Sequence, residues 1–360
     1  ARIIAEDSIV LLKNNDQLLP LQLNSNLSRI LFVGEFAERP HIVGTGSGNV
    51  TPYEVSNCLN ASREIVNSKS ETTSLSYVKA FNSEEGNLDK SSFDEAIQQA
   101  KEADVVVVFA GTPLYKEGED KDLKNIKLPD DVNSTIKKIC EVNKNVVVVL
   151  QNGSALEMPW VDDVKSIVET YFSGEAGGQA TANVLFGLVN PSGHLSESFP
   201  LKLEDNPSFD CFCNDVNMKY KEGVFVGYRH YDTKNIEVLF PFGHGLSYTS
   251  FEYSNLRIEK GDNFLNYKVF VDVKNTGKIT GKTVAQLYVS DLTNEIERPN
   301  KELKGFKKVS LNPDEIKTIQ FDLDERSFAW WDINTHNWHV SNGTFKIIVG
   351  QSSKDNNSLS

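Results

Sequence analysis

Short continuous apolar runs alternate with amphipathic segments in the first half of the chain. Residues 104–111 (Asp-Val-Val-Val-Val-Phe-Ala-Gly) and 145–150 are continuous apolar runs, as is typical of strands buried on both faces. Residues 93–103 carry apolar side chains at helical spacing, and residues 129–142 open with proline, so each predicts a helix leading into one of these strands. The alternation predicts a mostly parallel sheet with helices on both faces.

Further segments extend this pattern in both directions. Residues 29–34 and 166–172 predict two more strands, and residues 177–186, which are rich in small side chains, predict a helix. Residues 1–13 carry an apolar stripe and are expected to form a single helix. We therefore expect an α/β sandwich domain over residues 1–200, with an α/β/α arrangement of layers.

The pattern changes after residue 200. Residues 201–247 carry many turn residues and little periodicity, which predicts an irregular connecting segment. From residue 248 to 352 the chain alternates apolar and polar positions, as in Tyr267–Val273, and this predicts an immunoglobulin-like β-sandwich. The polar residues 353–360 are expected to be a disordered tail. The predicted fold class is thus α/β followed by all-β.

Composition narrows the range of partners. The chain has 360 residues, is 39% hydrophobic and 24% charged, and carries a formal net charge of −13. That charge, without a long basic cluster, argues against binding to nucleic acid or to an anionic membrane. Apolar runs also stay below the roughly 18 residues that span a bilayer. A neutral or cationic ligand is therefore favoured.

The sequence predicts neither a metal site nor a cofactor. The four cysteines lack a second pair at zinc spacing, and the histidines lack a His-Glu-x-x-His pattern. The glycine loop at 44–48 lacks the Gly-Lys-Ser/Thr ending of a P-loop and does not fit a dinucleotide fingerprint. A Gly-x-Ser-x-Gly elbow is also absent from the sequence, which argues against a serine hydrolase.

Seven Asn-x-Ser/Thr triplets permit N-glycosylation without establishing it. They begin at Asn26, Asn49, Asn60, Asn133, Asn152, Asn342 and Asn356. We expect a secreted, extracellular or vacuolar location, with an intracellular one left open.

The candidate chemistry lies directly after the apolar run at 104–111. Residues 116–121 read Lys-Glu-Gly-Glu-Asp-Lys, which places Glu117, Glu119 and Asp120 just past the carboxyl end of a predicted parallel strand. Open α/β sheets bind their ligands at that edge, and a carboxyl group there is a candidate proton donor or base. The alternative is an acidic loop exposed to solvent.

Several motifs occur in one order along the chain: Ala-Glu-Asp-Ser-Ile-Val-Leu-Leu-Lys-Asn at 5–14, Glu-Gly-Glu-Asp-Lys at 117–121, Gly-Tyr-Arg-His-Tyr-Asp at 227–232, and Pro-Phe-Gly-His-Gly-Leu-Ser-Tyr-Thr at 241–249. Together they resemble the C-terminal half of glycoside hydrolase family 3, the β-glucosidase and β-xylosidase family. The last hundred residues resemble the family's fibronectin type III-like domain.

The resemblance implies a retaining exo-glycosidase mechanism, with two carboxyl groups about 5–5.5 Å apart. The nucleophile of the family is an aspartate on a (β/α)8 barrel, which this chain lacks, so no nucleophile is assigned here. Glu117 matches the acid/base, and Asp120 an orienting or structural aspartate. Lys121 stands where the family has arginine, so the charge is kept and the bidentate fork is lost.

The resemblance further implies that Gly46, Ser47 and Tyr115 form part of the wall of the sugar pocket. The expected substrate is a β-linked glucoside or oligosaccharide, with a β-xyloside or α-arabinoside as the alternative. The barrel is expected on another segment or chain, and a start apparently inside a helix favours one upstream. The isolated chain is expected to be inactive or nearly so. A second hypothesis is a non-catalytic carbohydrate-binding or scaffolding module.

Overall fold

The two valine-rich runs lie side by side in the middle of a six-stranded sheet. This sheet belongs to the first of two units, Ala1–His194 and Leu195–Ser360, into which the chain divides in the computed structural model. The structure describes residues 1–119, 121–212, 216–355 and 357–360.

The sheet of the first unit is parallel except at one edge. Its strands are β1 (Val10–Asn14), β2 (Arg29–Val33), β3 (Ser74–Val78), β4 (Val105–Gly111), β5 (Val146–Gln151) and β6 (Ser166–Glu169). Their order in the sheet is β1-β6-β5-β4-β2-β3, and only the β1–β6 pair is antiparallel. Every residue of β4 and β5 is buried, as continuous apolar runs require. The predicted mostly parallel sheet is therefore confirmed.

The described residues of the first unit form five α-helices, which pack in two groups. They are α1 (Arg2–Ser8), α2 (Cys58–Lys69), α3 (Lys90–Glu102), α4 (Asp130–Val142) and α5 (Gly177–Leu185). Helices α1 and α2 contact α5, whereas α3 contacts α4. The Asn57 side chain caps α2 and the Asp89 side chain caps α3, each by accepting a backbone N–H bond. The α/β/α prediction is thus confirmed.

The expectation of a single helix over residues 1–13 is wrong. Helix α1 ends at Ser8, Ile9 is extended, and Val10–Asn14 forms the edge strand β1. A short apolar run such as Ile9–Leu12 does not distinguish a buried helix from a buried strand by its pattern. The sheet decides between the two, because β1 buries Val10, Leu11 and Leu12 against its neighbours.

The second unit contains antiparallel strands. They are β7 (Phe199–Pro200), β8 (Val238–Phe240), β9 (Phe251–Lys260), β10 (Tyr267–Asn275), β11 (Gly281–Asp291), β12 (Glu302–Leu311), β13 (Ile316–Leu323), β14 (Trp330–Asp332), β15 (Asn337–His339) and β16 (Phe345–Gly350). Two three-stranded sheets have the orders β13-β10-β9 and β12-β11-β16. Alternate residues of β10 and β11 share one buried core with β13 and β16, which confirms the predicted β-sandwich.

Two stretches of the second unit are more ordered than the sequence predicts. The segment 201–247 contains helix α6 (Tyr228–Thr233) and strand β8. In the expected tail at 353–360, Leu359 exchanges two backbone hydrogen bonds with Val349, of 2.8 and 2.9 Å, and packs on the sandwich core. Residues 353–360 are polar apart from Leu359, so their composition alone predicts disorder. No helix in the part of the chain that the structure describes has the length and hydrophobicity to cross a membrane.

Candidate active site

The acidic motif occupies the carboxyl edge of the parallel sheet. Strand β4 ends at Gly111, and a single 3-10 turn at Leu114–Lys116 leads from it to Glu117. The neighbouring strand β5 ends opposite Gly111, at Gln151, and continues into the loop that contains Gly153. Ligands of open α/β sheets bind at this edge.

The Glu117 side chain is half-buried and is held by the β5–β6 loop. Its Oε1 accepts a hydrogen bond from the backbone N–H of Gly153 at 3.2 Å. A Cβ at position 153 would lie 3.0 Å from Glu117 Oε2 and 2.8 Å from Cε2 of Phe172, so glycine is needed for this approach. The Glu117 carboxylate is therefore anchored to the sheet edge, unlike a side chain of a freely solvated acidic loop.

The glycine loop packs directly against the acidic motif. Thr45 donates to the carbonyl oxygen of Glu117 through its backbone N–H, at 3.2 Å, and through its hydroxyl. Ser47 donates to the Glu119 carboxylate through its N–H, at 3.3 Å, and through its hydroxyl. The Ser47 hydroxyl and amide hold the pKa of Glu119 below its usual value. Gly46, in a positive-φ conformation, leaves room for the Glu119 side chain.

The other predicted site residues take different positions. The Lys121 ammonium donates to the carbonyl oxygen of Tyr115 at 2.8 Å, so it braces the backbone that precedes Glu117. The Tyr115 side chain is 52% exposed, which leaves its ring accessible to a ligand. Asp120 lies outside the described residues.

His41, which no sequence motif singled out, packs against Phe172 near the loop that holds Glu117. Its backbone N–H donates to Gln151 Oε1 at 2.7 Å, and its ring centroid is 4.3 Å from that of Phe172. The side chain is buried next to the backbone of Val43 and Thr112. Burial lowers the pKa of His41 to about 4. A histidine without ligand spacing gives no sequence signal for such a position.

We expect stability to depend on pH through His41. Its folded-state pKa lies below the unfolded value of 6.5, so the unfolded chain binds the proton first as pH falls. The contribution of neutral His41 to the free energy of unfolding is fully present above about pH 6.5. It decreases by about 3 kcal/mol at most as the pH falls towards 4. Urea unfolding of the wild type and of His41→Phe, measured between pH 7 and pH 4, should give a flatter profile for the variant. Parallel profiles would contradict this.

A large cavity of about 620 Å³ lies elsewhere, in the β-sandwich unit. Its lining is mainly apolar and comes from strand ends and loops around Phe264, Phe328 and Trp338, and it includes none of the predicted site residues. The described residues also contain no group of three or more His, Cys, Asp or Glu side chains that could hold a metal ion. The candidate active site is therefore the carboxyl edge of the parallel sheet at Glu117, where a carboxyl group of the sequence motif lies in a position typical of ligand binding.

Comparison with known families decides the assignment. The model of the glycosyl hydrolase family 3 C-terminal domain matches residues 9–248, and that of the fibronectin type III-like domain matches residues 283–353. The chain belongs to glycosyl hydrolase family 3. The resemblance read from the sequence motifs is thereby confirmed.

Relatives and solved structures of family 3 match the chain along almost its whole length. It is 47% identical to thermostable β-glucosidase B of Acetivibrio thermocellus, over 99% of this chain and 47% of that protein. It is 39% identical to an exo-α-(1→6)-L-arabinopyranosidase of Bifidobacterium breve, over 98% of this chain and 46% of that protein. The crystal structure of a Bifidobacterium adolescentis family 3 β-glucosidase superposes with a TM-score of 0.91 at 37% identity, covering 98% of this chain and 51% of that one.

The chain spans about half the length of the curated family 3 relatives that it matches. It comprises the family 3 C-terminal domain and the fibronectin type III-like domain.

Proposed function

We propose that this chain supplies the acid/base carboxyl, Glu117, of a retaining exo-acting β-glucosidase. The observation that carries the proposal is the position of Glu117, half-buried at the carboxyl edge of the sheet with Oε1 bonded to the Gly153 amide. The nucleophilic aspartate belongs to a (β/α)8 barrel supplied by another segment or chain.

In the first step, Glu117 in its acid form donates its proton to the glycosidic oxygen while the aspartate of the barrel attacks C1. The bond from C1 to the leaving oxygen breaks, the aglycone departs as an alcohol, and a covalent glycosyl-enzyme remains. In the second step, the Glu117 carboxylate removes a proton from water, which attacks C1 and releases the sugar with its original anomeric configuration. Protons balance, because Glu117 ends protonated as it began.

Two details of the loop suit a residue that alternates between donor and acceptor. The Gly153 amide fixes one carboxyl oxygen, Oε1, so the other oxygen, Oε2, is left for proton transfer. Lys121, bound to the Tyr115 carbonyl, holds the loop where the family has arginine. We propose Gly46, Ser47 and Tyr115 as part of the wall around the sugar, and Asp120 as an orienting residue.

A terminal β-D-glucosyl residue is the proposed substrate, as the name of the relative with 47% identity suggests. The second candidate is an α-L-arabinopyranoside, favoured by the relative with 39% identity that is named for that activity. A β-xyloside remains a further alternative, because the barrel contributes most contacts to the sugar. A secreted, extracellular or vacuolar location stays a prediction.

The proposal is tested by joining the chain to a family 3 (β/α)8 barrel and comparing it with the chain alone. The chain alone should give negligible turnover of an aryl β-glucoside, because a proton donor without a nucleophile cannot form the glycosyl-enzyme. The joined protein should release β-glucose first, as followed by proton NMR of the anomeric signals. Full activity of the chain alone, or release of α-glucose, would refute the proposal. Binding of the sugar by the chain alone without turnover in either form would favour the scaffolding alternative.

A further inference from the structure

We propose that residues 44–49, here called the clasp loop, position Glu117 for proton transfer, with Ser47 and Glu119 as positioning residues. The inference rests on the proposed acid/base role of Glu117. It assigns to Glu119 a part in catalysis without contact with the sugar, and to Ser47 a part beyond its place in the proposed wall around the sugar.

The clasp loop holds the acidic motif at two points around the acid/base residue. Thr45 donates twice to the carbonyl oxygen of Glu117 itself, and Thr45 and Gly118 form a parallel β-bridge. Ser47 donates twice to the carboxylate of Glu119, two residues further on. Hydrogen bonds to an ionised carboxylate are stronger than those between neutral groups. Backbone and side-chain contacts therefore act together on three consecutive residues.

A third contact closes the motif on its other side. The Lys121 ammonium donates to the Tyr115 carbonyl at 2.8 Å, and the Lys121 N–H donates to the Gly118 carbonyl at 3.1 Å. The backbone of Glu117 is thus held from both directions along the chain. Lys116 ends the 3-10 turn, and the described residues Glu117–Glu119 belong to no named helix or strand, so these bonds supply the rigidity that a loop otherwise lacks.

Steric fit supports a built contact between the two loops. A Cβ at Gly118 would lie 2.6 Å from the Thr45 hydroxyl oxygen, and a Cβ at Gly46 would lie 3.3 Å from Cβ of Glu119. Glycine at both positions allows the backbones to approach closely enough for the hydrogen bonds. Two surface loops in incidental contact would not need glycine at both positions.

A clasp of this kind has a specific kinetic signature. A general acid acts only within about 2.6–3.2 Å of the atom that receives its proton, and a misplacement of about 1 Å can cost about a hundredfold. Loosening the loop should therefore slow substrates whose leaving oxygen needs protonation. Substrates with a leaving group that departs as an anion should be affected little. A general loss of folding would slow both alike.

The test uses the chain joined to a family 3 barrel and two substrates, methyl β-glucoside and 2,4-dinitrophenyl β-glucoside. We expect Glu119→Ala to lower kcat/KM for the methyl glucoside by about tenfold and for the dinitrophenyl glucoside by less than about twofold. Ser47→Ala also alters the proposed wall around the sugar, so its signature is the difference between substrates: its loss on the methyl glucoside should exceed its loss on the dinitrophenyl glucoside by about tenfold. The double variant should discriminate between the substrates no more than the more discriminating single variant, because both remove the same contact. Ser47→Thr keeps the hydroxyl and should lose less on the methyl glucoside than Ser47→Ala.

Control variants separate the possible failures. Glu71→Gln changes an exposed carboxyl at the amino ends of the strands and should match the wild type on both substrates. If Ser47→Ala and Glu119→Ala slow both substrates equally, or neither, while Glu117→Gln discriminates between them, the clasp is refuted and the role of Glu117 stands. If Glu117→Gln itself does not discriminate, the proposed function fails and the clasp falls with it.

Discussion

Replacing Glu117 by glutamine in the enzyme joined to its barrel should lower kcat/KM on cellobiose by about 10²- to 10⁴-fold. Glutamine keeps the size of the side chain and its bond from the Gly153 amide, but it cannot release a proton to the departing glucose oxygen. The effect should shrink as the leaving group becomes more acidic. With 2,4-dinitrophenyl β-glucoside, glycosylation needs little acid assistance, and breakdown of the glycosyl-enzyme becomes the slow step.

When its breakdown is the slow step, the glycosyl-enzyme accumulates, and its reaction with an added nucleophile tests the role of Glu117 independently. Azide is a nucleophile that needs no general base, so added azide should accelerate Glu117→Ala on the dinitrophenyl glucoside and yield β-glucosyl azide. Glu71→Gln, which removes a carboxyl far from this edge, should show neither the loss nor the azide response. If cellobiose turnover survives Glu117→Gln unchanged, the acid/base is a different residue.

The largest effect on stability is expected from Gly34→Ala. Gly34 follows directly after β2 with φ of +105°, and a Cβ there would lie 2.2 Å from the carbonyl oxygen of Phe109 in β4 and 2.8 Å from the Phe81 ring. A backbone oxygen in a central strand cannot move aside as a flexible side chain can. Strain at positive φ costs about 1–3 kcal/mol and overpacking costs about 1–3 kcal/mol more, so we expect a loss of about 2–6 kcal/mol.

Alanine substitutions at two other glycines distinguish the cost of backbone strain from the cost of steric crowding. Gly174 has φ of +70° with open space around its Cβ direction, so Gly174→Ala should cost about 1–2 kcal/mol from backbone strain alone. Gly48 has neither feature, and Gly48→Ala should change stability by less than about 0.5 kcal/mol. Urea unfolding followed by circular dichroism measures all three. Equal midpoints for Gly34→Ala and Gly48→Ala would contradict the crowding argument.

Much of the α/β unit could be predicted because its signals are local. The valine runs of β4 and β5 are buried on both faces, so their composition alone identifies them as strands. The position of Glu117 follows from the same argument, since a loop after a central parallel strand must open at the carboxyl edge. Its role as acid/base came from the motif, and that role remains a prediction.

What the sequence did not predict depends on contacts between distant residues. The pattern of Ile9–Leu12 fits a helix or a strand, and only pairing with β6 decides between them. The burial of His41 depends on Phe36 and Phe172, and the contact of Ser47 with Glu119 joins residues 72 positions apart. Neither periodicity nor composition contains such information, which arises when loops from separate strands meet.

The antiparallel strand β1 has a consequence for the order of assembly. Val10 pairs with Glu169, so the first strand of this sheet in chain order must wait until nearly the whole α/β unit has been synthesised. During that interval the outer edge of β6 has no partner, and an unpaired, buried-type strand edge is a template for association with other chains. Pairing of β1 with β6 is therefore the step that covers this edge.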